Sequence, residues 1–291
     1  MARNVLITGS SHGIGAAAAA AFSQAGYDVG VNYYKDPDGA EETAAKIRDL
    51  GRRAEVYRAD VSSSSECEKM LERFIADFGR IDVLVNNAGG ALKIPGGGVE
   101  SMPVEYWDSQ INLNLNAAAY CSRIAVRDMI QKKTPGRIIN VGSIHGTVSW
   151  VKRKALPYCV AKAGLDMLTK SLGAEVAKYG INVNCIAPGF IVTKATGRYS
   201  EEETNAFKRK IPVGELGRVE DVTPMMLLLA DVDKSRFIVG QTFAIDGGQS
   251  IDGVIDYMLS KADFGKRLYS YLFSNACSAL PAPSSAGSSS G

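Results

Sequence analysis

Short apolar runs alternate along the chain with longer amphipathic stretches. Seven runs rich in Val, Ile and Leu lie at residues 4–8, 28–33, 54–58, 81–85, 137–142, 181–186 and 241–245. Such continuous apolar runs are typical of parallel strands covered on both faces. Helical patterns are clearest at 16–25, 104–131 and 157–179. The alternation predicts an α/β fold, with a single doubly wound parallel sheet of seven strands and helices on both faces.

The βα alternation ends near residue 250, which predicts three parts. We assign 1–250 to the α/β domain and 251–280 to a C-terminal extension. The extension carries apolar positions such as Val254 and Met258 at helical spacing, so we expect it to be partly helical. Residues 281–291 contain only Pro, Ala, Ser and Gly, which predicts a flexible tail.

Composition narrows the class of partner. The 291 residues are 46% hydrophobic with a net charge of +2, enough for one large core. The basic clusters, such as 152–154, span no more than three residues, so we expect no nucleic-acid partner. No basic leader or long apolar run is present, which predicts cytoplasmic residence and no membrane contact. Five cysteines without Cys-x2-Cys spacing indicate reduced thiols and no metal site.

A glycine-rich turn, Gly9-Ser10-Ser11-His12-Gly13-Ile14-Gly15, follows the first predicted strand. Gly9 permits a sharp turn, while Gly13 and Gly15 let backbone N–H groups and a helix N-terminus approach a pyrophosphate. The turn predicts a dinucleotide site. The same letters also match the Gly-x-Ser-x-Gly elbow of an α/β-hydrolase, but the other histidine, His145, comes too early for that topology. We therefore disfavour a hydrolase.

Tyr158 and Lys162 are four residues apart in a predicted helix, so they share a face. The Lys162 ammonium would favour the ionised Tyr158 phenol and make it an acid and base near neutral pH. Ser143 precedes this pair and offers a hydrogen bond to a substrate oxygen. With a dinucleotide site, these residues suit hydride transfer to or from a carbonyl.

Several motifs occur in one characteristic order along the chain. They are Gly9-x3-Gly13-x-Gly15, Asp60-Val61, Asn86-Asn87-Ala88-Gly89, Asn114, Ser143, Tyr158, Lys162 and Pro188-Gly189-Phe190-Ile191-Val192-Thr193. In this order the chain, from residue 3 to about 250, resembles the short-chain dehydrogenase/reductase family, and within it the 3-oxoacyl reductases and the glucose and carbonyl dehydrogenases. The resemblance implies a Rossmann-like fold.

The resemblance also implies catalytic roles. Tyr158 would exchange a proton with the substrate oxygen, and Lys162 would lower the pKa of the phenol and bind the nicotinamide ribose. Ser143 would support the developing alkoxide, and Asn114 would hold a water of the proton relay. Asparagines alternate through this segment, and Asn116 is the alternative to Asn114.

The cofactor residues that the resemblance implies are Gly9, Ser10, Ser11, His12, Gly13, Ile14, Gly15, Tyr33, Asp60, Val61, Asn87, Gly89, Tyr158, Lys162, Ile191 and Thr193. Asp60 and Val61 correspond to the adenine contacts. Tyr33 occupies the place where a carboxylate would select NAD, and His12 and Lys35 add basic groups nearby. NADP(H) is favoured, with use of NAD left open.

The predicted activity is reduction of a small ketone or aldehyde, or oxidation of the corresponding alcohol. A 3-oxoacyl thioester reductase and a sugar dehydrogenase are alternatives within the family. A nucleotide-binding sensor without turnover is the alternative of another class. The helices at 104–131 and 157–179 are the surfaces through which relatives assemble, which predicts a homotetramer or homodimer.

Overall fold

The computed structural model describes residues 3–91, 98–149, 155–193 and 199–251. Its centre is a parallel sheet of seven strands. The strands are β1 Arg3–Ile7, β2 Tyr27–Tyr33, β3 Ala54–Arg58, β4 Val83–Asn86, β5 Gly136–Val141, β6 Ile181–Pro188 and β7 Thr242–Ile245. Their order in space is β3-β2-β1-β4-β5-β6-β7, and every neighbouring pair is parallel. The predicted doubly wound α/β sheet is confirmed.

Helices cover both faces of the sheet. They are α1 Gly13–Gln24, α2 Pro37–Asp49, α3 Ser64–Phe78, α4 Val104–Ile111, α5 Ala117–Lys132, α6 Leu156–Val176, α7 Glu201–Lys208 and α8 Val219–Ala230. On one face Phe22, Ile47 and Met226 belong to a fully buried apolar cluster. On the other face Leu71 and Ile124 belong to a second one. Two separate cores explain why the strands read as continuous apolar runs.

All three predicted helices differ from their predicted bounds, and α6 ends at Val176, before a 3₁₀ turn over Ala177–Tyr179. Helix α1 begins at Gly13, before the predicted 16–25, because the glycines of the turn carry little helical signal. The predicted helix over 104–131 consists of α4 and α5 joined by a π-helical turn, Asn112–Asn116. Wider turns of this kind are often found at functional sites, and their geometry is not visible in apolar spacing.

The winding of the sheet changes direction between β1 and β4, which are neighbours in space. Parallel strands end at one edge, so the segments that follow β1 and β4 meet there. The Thr8 hydroxyl accepts hydrogen bonds from the backbone N–H groups of Asn87 and Ala88, at 2.9 and 3.0 Å. This edge is the crevice in which open α/β sheets bind ligands.

By its internal contacts the chain divides into Met1–Ser250 and Ile251–Gly291. Apart from residue 251, the predicted extension over 251–280 and the predicted tail over 281–291 lie outside the described residues, so their assignment stays a prediction. The basic cluster 152–154 also lies outside them. In the part of the chain that the structure describes, no helix has the length and apolarity needed to cross a membrane.

Candidate active site

The turn after β1 accepts only glycine at several positions. Gly9 and Gly13 have φ of +61° and +60°, a region that other residues rarely adopt. A Cβ atom on Gly15 would lie 2.4 Å from the Gly9 carbonyl oxygen, and one on Gly9 would lie 2.9 Å from the Ala88 Cα. The exposed His12 stands at the N-cap of α1 without capping it through its side chain. The first-turn N–H groups of α1 therefore suit an anion such as a pyrophosphate.

Asn32, at the end of β2, holds this turn in place. Its Oδ1 accepts a hydrogen bond from the Gly9 N–H at 2.9 Å, and its Nδ2 donates to the carbonyls of Tyr57 and Ala59 on the β3 side. Asn32 is buried, where water cannot reach its side chain. These bonds therefore give its polar atoms the partners that water would otherwise provide. The analysis of the sequence missed this residue. A polar side chain inside the apolar run 28–33 was the available signal.

Ser10 is buried in the turn, and its hydroxyl is used internally. Ser10 Oγ donates to the Ile7 carbonyl at 2.8 Å and accepts from the Asn32 N–H at 3.1 Å. A ligand at the turn would therefore meet its backbone. Asn87 is fixed in the same way, because its Nδ2 donates to the carbonyls of Thr8 and Gly9, both at 2.9 Å. Thr8 is a second positioning residue that the sequence analysis did not single out.

The predicted adenosine end lies at the carboxyl ends of β2 and β3. Tyr33 is partly buried and pairs in register with Arg58, whose side chain is exposed. Val61 is buried, and Asp60 Oδ1 accepts hydrogen bonds from the backbone and hydroxyl of Ser62, at 3.0 and 2.7 Å. Asp60 therefore shapes the turn after β3. Arg58 is a cation at this edge that the sequence analysis did not name.

Tyr158 and Lys162 lie on α6, whose first turn contains Pro157, a residue whose fixed φ suits a helix start. The Lys162 Nζ atom donates to the Val141 carbonyl at 2.8 Å and lies 5.8 Å from the centroid of the Tyr158 ring. Lys162 is 3% exposed, while Tyr158 is partly exposed. The predicted pair shares one face, with the ammonium inside and the phenol toward the crevice.

Burial lowers the pKa of Lys162 to about 8, and the neighbouring Cys185 and Asp166 side chains oppose that fall. A buried ammonium lacks the hydration that stabilises it in water, so desolvation is the larger effect. Lys162 is consequently mostly protonated at pH 7, and it loses its proton as the pH rises through about 8. The same burial raises the pKa of the Cys185 thiol to about 12, so Cys185 is neutral.

Ser143 follows β5 and begins a 3₁₀ turn, Ile144–Gly146. Its buried Oγ accepts a hydrogen bond from the His145 N–H at 3.2 Å, which leaves the hydroxyl proton for a substrate oxygen. The His145 ring lies 6.4 Å from the Tyr158 ring, centroid to centroid. The turn thus brings the Ser143 segment against the start of α6.

Asn114 lies in the π-helical turn and is 2% exposed. Its Oδ1 accepts from the Gly90 N–H at 2.8 Å, and a Cβ atom on Gly89 would lie 2.7 Å from Asn114 Oδ1 and 3.4 Å from Lys162 Nζ. Asn112 and Asn116 are instead partly exposed and bind each other at 2.7 Å. Asn114 and Lys162 therefore both lie beside Gly89 and line the same cavity, while the role of Asn114 stays a prediction.

A small cavity of about 10 Å³ lies beneath these residues. Among its lining residues are Thr8, Asn86, Asn114 and Lys162. The volume is about that of one water, and the polar lining offers it hydrogen bonds. Asn86 Oδ1 is buried and has no hydrogen-bond partner in the described part of the chain.

The segment after β6 returns to the glycine turn. Ile191 is buried, and the Val192 N–H donates to the Gly217 carbonyl at 2.8 Å. The Thr193 methyl carbon would lie 3.4 Å from a Cβ atom on Gly13. Ile191 and Thr193 therefore close one side of the crevice above α1. Residues 194–198 lie outside the described residues.

Comparisons with known proteins agree with this geometry. A family model described as "Enoyl-(Acyl carrier protein) reductase" matches residues 9–250. The chain is 36% identical over 251 residues to 3beta-hydroxysteroid dehydrogenase 1 of Eggerthella lenta. This match covers 86% of this chain and 94% of that protein. It is 35% identical over 248 residues to a 3-oxoacyl-(acyl-carrier-protein) reductase of Staphylococcus aureus, over 85% and 98% of the two chains. The crystal structure of acetoin dehydrogenase from Enterobacter cloacae matches with a TM-score of 0.79 at 33% identity, over 88% of this chain and 98% of that chain.

Proposed function

Because the chain belongs to the short-chain dehydrogenase/reductase family, we propose that it works as a carbonyl reductase that prefers NADP(H). Membership makes it an oxidoreductase that interconverts CH–OH and C=O groups of a small molecule with NAD(P). The reductive role and the preference for NADP(H) are the proposal. The observation that supports catalysis is the buried Lys162 ammonium beside the Tyr158 ring, with Ser143 on the adjoining turn.

The residues present fit a dinucleotide. No side chain caps the α1 N-terminus, and the turn packs closely because Cβ atoms on Gly9 and Gly15 would clash with Ala88, with the Gly9 carbonyl oxygen and with Asn87. The pyrophosphate would lie on Gly13 and the residues around it, and the nicotinamide ribose near Tyr158 and Lys162. When bound, the nicotinamide supplies a hydride to a carbonyl carbon or accepts one from an alcohol.

Proton transfer is the task of this chain's own residues. Tyr158 donates its phenolic proton to the substrate oxygen during reduction and takes it back during oxidation. The Lys162 ammonium stabilises the negative charge that develops on the Tyr158 oxygen, and because Lys162 is buried, solvent screens this attraction poorly. Ser143 donates a hydrogen bond to the same substrate oxygen. Asn114 and the cavity below it would hold a water that returns the proton to Tyr158 through Lys162.

The first test is absorbance at the nicotinamide band with NADPH or NADH. The panel contains simple ketones, diketones, aldoses and 3-oxoacyl thioesters. We expect oxidation of NADPH with at least one carbonyl compound, and Tyr158→Phe should lower kcat by about a thousandfold or more because the proton donor is removed. Tyr179→Phe, at an exposed tyrosine, is the matched control and should keep full activity.

Each outcome is informative. Turnover that survives Tyr158→Phe would refute the proposed acid. Tight NADPH binding with no turnover across the panel would favour the nucleotide-binding sensor. Faster turnover of 3-oxoacyl thioesters than of simple ketones would favour the 3-oxoacyl reductase alternative, and fastest turnover of aldoses the sugar dehydrogenase.

The preference for NADP(H) rests on charge at the adenosine edge. No carboxylate stands at the end of β2, where Tyr33 lies, while Lys35 and Arg58 are exposed cations there. Asp36 is close in sequence, but its Oδ1 accepts the Gly39 N–H at 3.1 Å as the cap of α2. We expect kcat/KM to be at least about tenfold higher with NADPH than with NADH, since the extra phosphate gains charge-assisted contacts.

We also propose that the chain assembles through α6. Leu156, Val160 and Met167 form an exposed apolar stripe along this helix, four and seven residues apart. Exposed apolar surface of this kind marks an interaction site. A second copy with the same helix would cover it, in a homodimer or in the predicted homotetramer. Cytoplasmic residence stays a prediction.

A further inference from the structure

A chain of buried polar side chains crosses the interior from α6 to the end of β4. Thr169 Oγ1 donates to the Leu165 carbonyl at 2.8 Å and accepts from Asn140 Nδ2 at 2.9 Å. Asn140 Oδ1 accepts from Asn86 Nδ2 at 2.9 Å, and Asn86 Nδ2 also donates to Ser122 Oγ at 3.0 Å. Thr169, Asn140, Asn86 and Ser122 are at most 5% exposed. The mechanism above uses none of these side chains.

This chain fixes the orientation of both amides. A carbonyl can only accept, so the Thr169 hydroxyl gives its proton to Leu165 and must accept from Asn140. Asn140 therefore presents Nδ2 to Thr169 and Oδ1 to Asn86. Asn86 in turn presents Nδ2 to Asn140, which leaves Asn86 Oδ1 on the other side of the amide. A flipped amide at either position would bring two donors or two acceptors together.

The oxygen of this oriented amide, Asn86 Oδ1, faces the small cavity beside Lys162. Asn86 lines that cavity, whereas Ser122 and Asn140, which hold Asn86 Nδ2, are not among its lining residues in the described chain. Asn86 Oδ1 is buried and has no partner among the described residues. A buried acceptor without a donor is costly. The cavity therefore needs a hydrogen-bond donor.

Two other polar side chains of the lining already use their donors elsewhere. The Thr8 hydroxyl donates to the Val85 carbonyl at 3.4 Å. Asn114 Nδ2 donates to the carbonyls of Gly90 and Gln110, at 3.2 and 3.1 Å. A single water fits the cavity volume of about 10 Å³ and would supply the missing donor.

The Lys162 ammonium lines the same cavity, and its one described hydrogen bond, to the Val141 carbonyl, leaves further N–H groups. We propose that the cavity is a water site built on Asn86, whose water donates to Asn86 Oδ1 and accepts from the Lys162 ammonium. Asn86 is thereby a positioning residue, because an acceptor at this place turns the oxygen of the water toward the ammonium. The inference rests on the proposed function, in which Lys162 must carry a charge beside Tyr158.

A high-resolution crystal structure of the free protein tests the water directly. We expect an ordered water within hydrogen-bond distance of Asn86 Oδ1 and Lys162 Nζ. Asn86→Leu has a similar shape but no acceptor, so its cavity should lack this water. A dry cavity in the wild type, or a water retained in Asn86→Leu, would overturn the inference. The result needs no substrate, so it is distinguishable from a failure of the proposed function.

The effect on the ammonium is measured by the high-pH limb of kcat/KM for ketone reduction. Among the described residues, the titratable groups that face Lys162 are Tyr158 and Asp166 of α6, Cys185 of β6 and, across the cavity, Cys121 of α5. No variant used here replaces any of them. In Asn86→Leu the ammonium loses an acceptor, so Lys162 should lose its proton at a lower pH and the limb should move down by about half a pH unit or more. Each limb is read against the low-pH plateau of the same protein, so a uniform loss of activity does not mimic the shift.

Ser122→Ala is the matched control for a lost buried hydrogen bond. It removes one bond of Asn86 Nδ2 while Asn140 still orients the amide, so the water and the limb should match those of the wild type. Asn86→Asp keeps an oxygen in the cavity but loses the donor to Asn140, so it should retain the water and not lower the limb. An equally lowered limb in Ser122→Ala and Asn86→Leu would overturn the inference, as would loss of the water in Asn86→Asp.

Thr169→Val covers the case in which Asn86→Leu folds poorly. Thr169 lies outside the lining of the cavity, and its replacement removes the acceptor that fixes Asn140. The two amides can then turn over together, so we expect a partly occupied water and a smaller shift of the limb in the same direction. A fully occupied water with an unshifted limb in Thr169→Val would overturn the inference.

Discussion

At the scale of single residues, burial changes the acid strength of Lys162 more than its neighbours do. Its ammonium has one described hydrogen bond, to the Val141 carbonyl, in place of a hydration shell. The buried charge of Lys162 therefore lowers the free energy of unfolding, although the proposed mechanism requires that charge. Functional sites commonly reduce stability in this way.

Replacement of Lys162 by Met should stabilise the free protein and abolish activity. The pKa of Lys162 is about 8 in the folded state and 10.5 in the unfolded chain, so the unfolded state binds the proton more tightly between these values. Below pH 8 the charged group costs about 3 kcal/mol of the free energy of unfolding. We expect Lys162→Met to unfold at a higher temperature than the wild type at pH 7. The advantage should shrink as the pH rises from 8 toward 10.5.

Thermal unfolding followed by circular dichroism at pH 7 and pH 9.5 measures the effect. Lys69→Met, at an exposed lysine of α3, is the control and should leave the unfolding temperature unchanged at both pH values. A lower unfolding temperature of Lys162→Met at pH 7 would contradict the assignment of a destabilising charge.

At the scale of elements, the strands supply the frame, and a few polar side chains connect their ends. Asn32 links β2 to the glycine turn and to the end of β3. Thr8 links β1 to the segment after β4. These bonds lie where the strands end, beneath the loops that follow. The loops around the proposed dinucleotide site are therefore held by residues that would not touch the ligand.

Asn32→Ala should therefore weaken both the fold and the affinity for the dinucleotide. The change leaves the buried Gly9 N–H and two carbonyls without their partner, at a cost of about 2–4 kcal/mol. Urea unfolding and titration with NADPH measure the two effects. Gln24→Ala, at the exposed end of α1, should change neither. Wild-type NADPH affinity in a folded Asn32→Ala protein would show that the turn does not depend on Asn32.

At the scale of the whole molecule, the apolar stripe of α6 connects assembly to the site, because the same helix carries Tyr158 and Lys162. Met167 is 60% exposed and lies on this stripe. We expect Met167→Lys to shift the mass measured by light scattering toward the monomer, because a charge in an apolar interface is costly. Leu50→Lys, at an exposed position after α2, should keep the assembled mass. A wild-type monomer would refute the proposed assembly.

Much of the site followed from the sequence because its motifs are local. The glycine turn, the Tyr158–Lys162 spacing and the apolar runs depend on neighbouring residues and on the periods of strands and helices. The βα alternation predicted a doubly wound parallel sheet of seven strands, and the structure confirms it. The roles of the individual site residues stay predictions that the proposed experiments test.

The sequence by itself determined the parallel α/β sheet of seven strands and the glycine-rich turn, since backbone geometry and apolar periodicity act over short stretches. Only the tertiary structure decided that Asn114 is buried beside Gly89 while Asn112 and Asn116 bind each other, because these three asparagines lie in a π-helical turn. Only the tertiary structure placed Asn32 under the glycine turn and Asn86 at the cavity that Lys162 lines. These contacts join residues far apart in the chain, and their hydrogen bonds and charges depend on burial, which no local pattern contains.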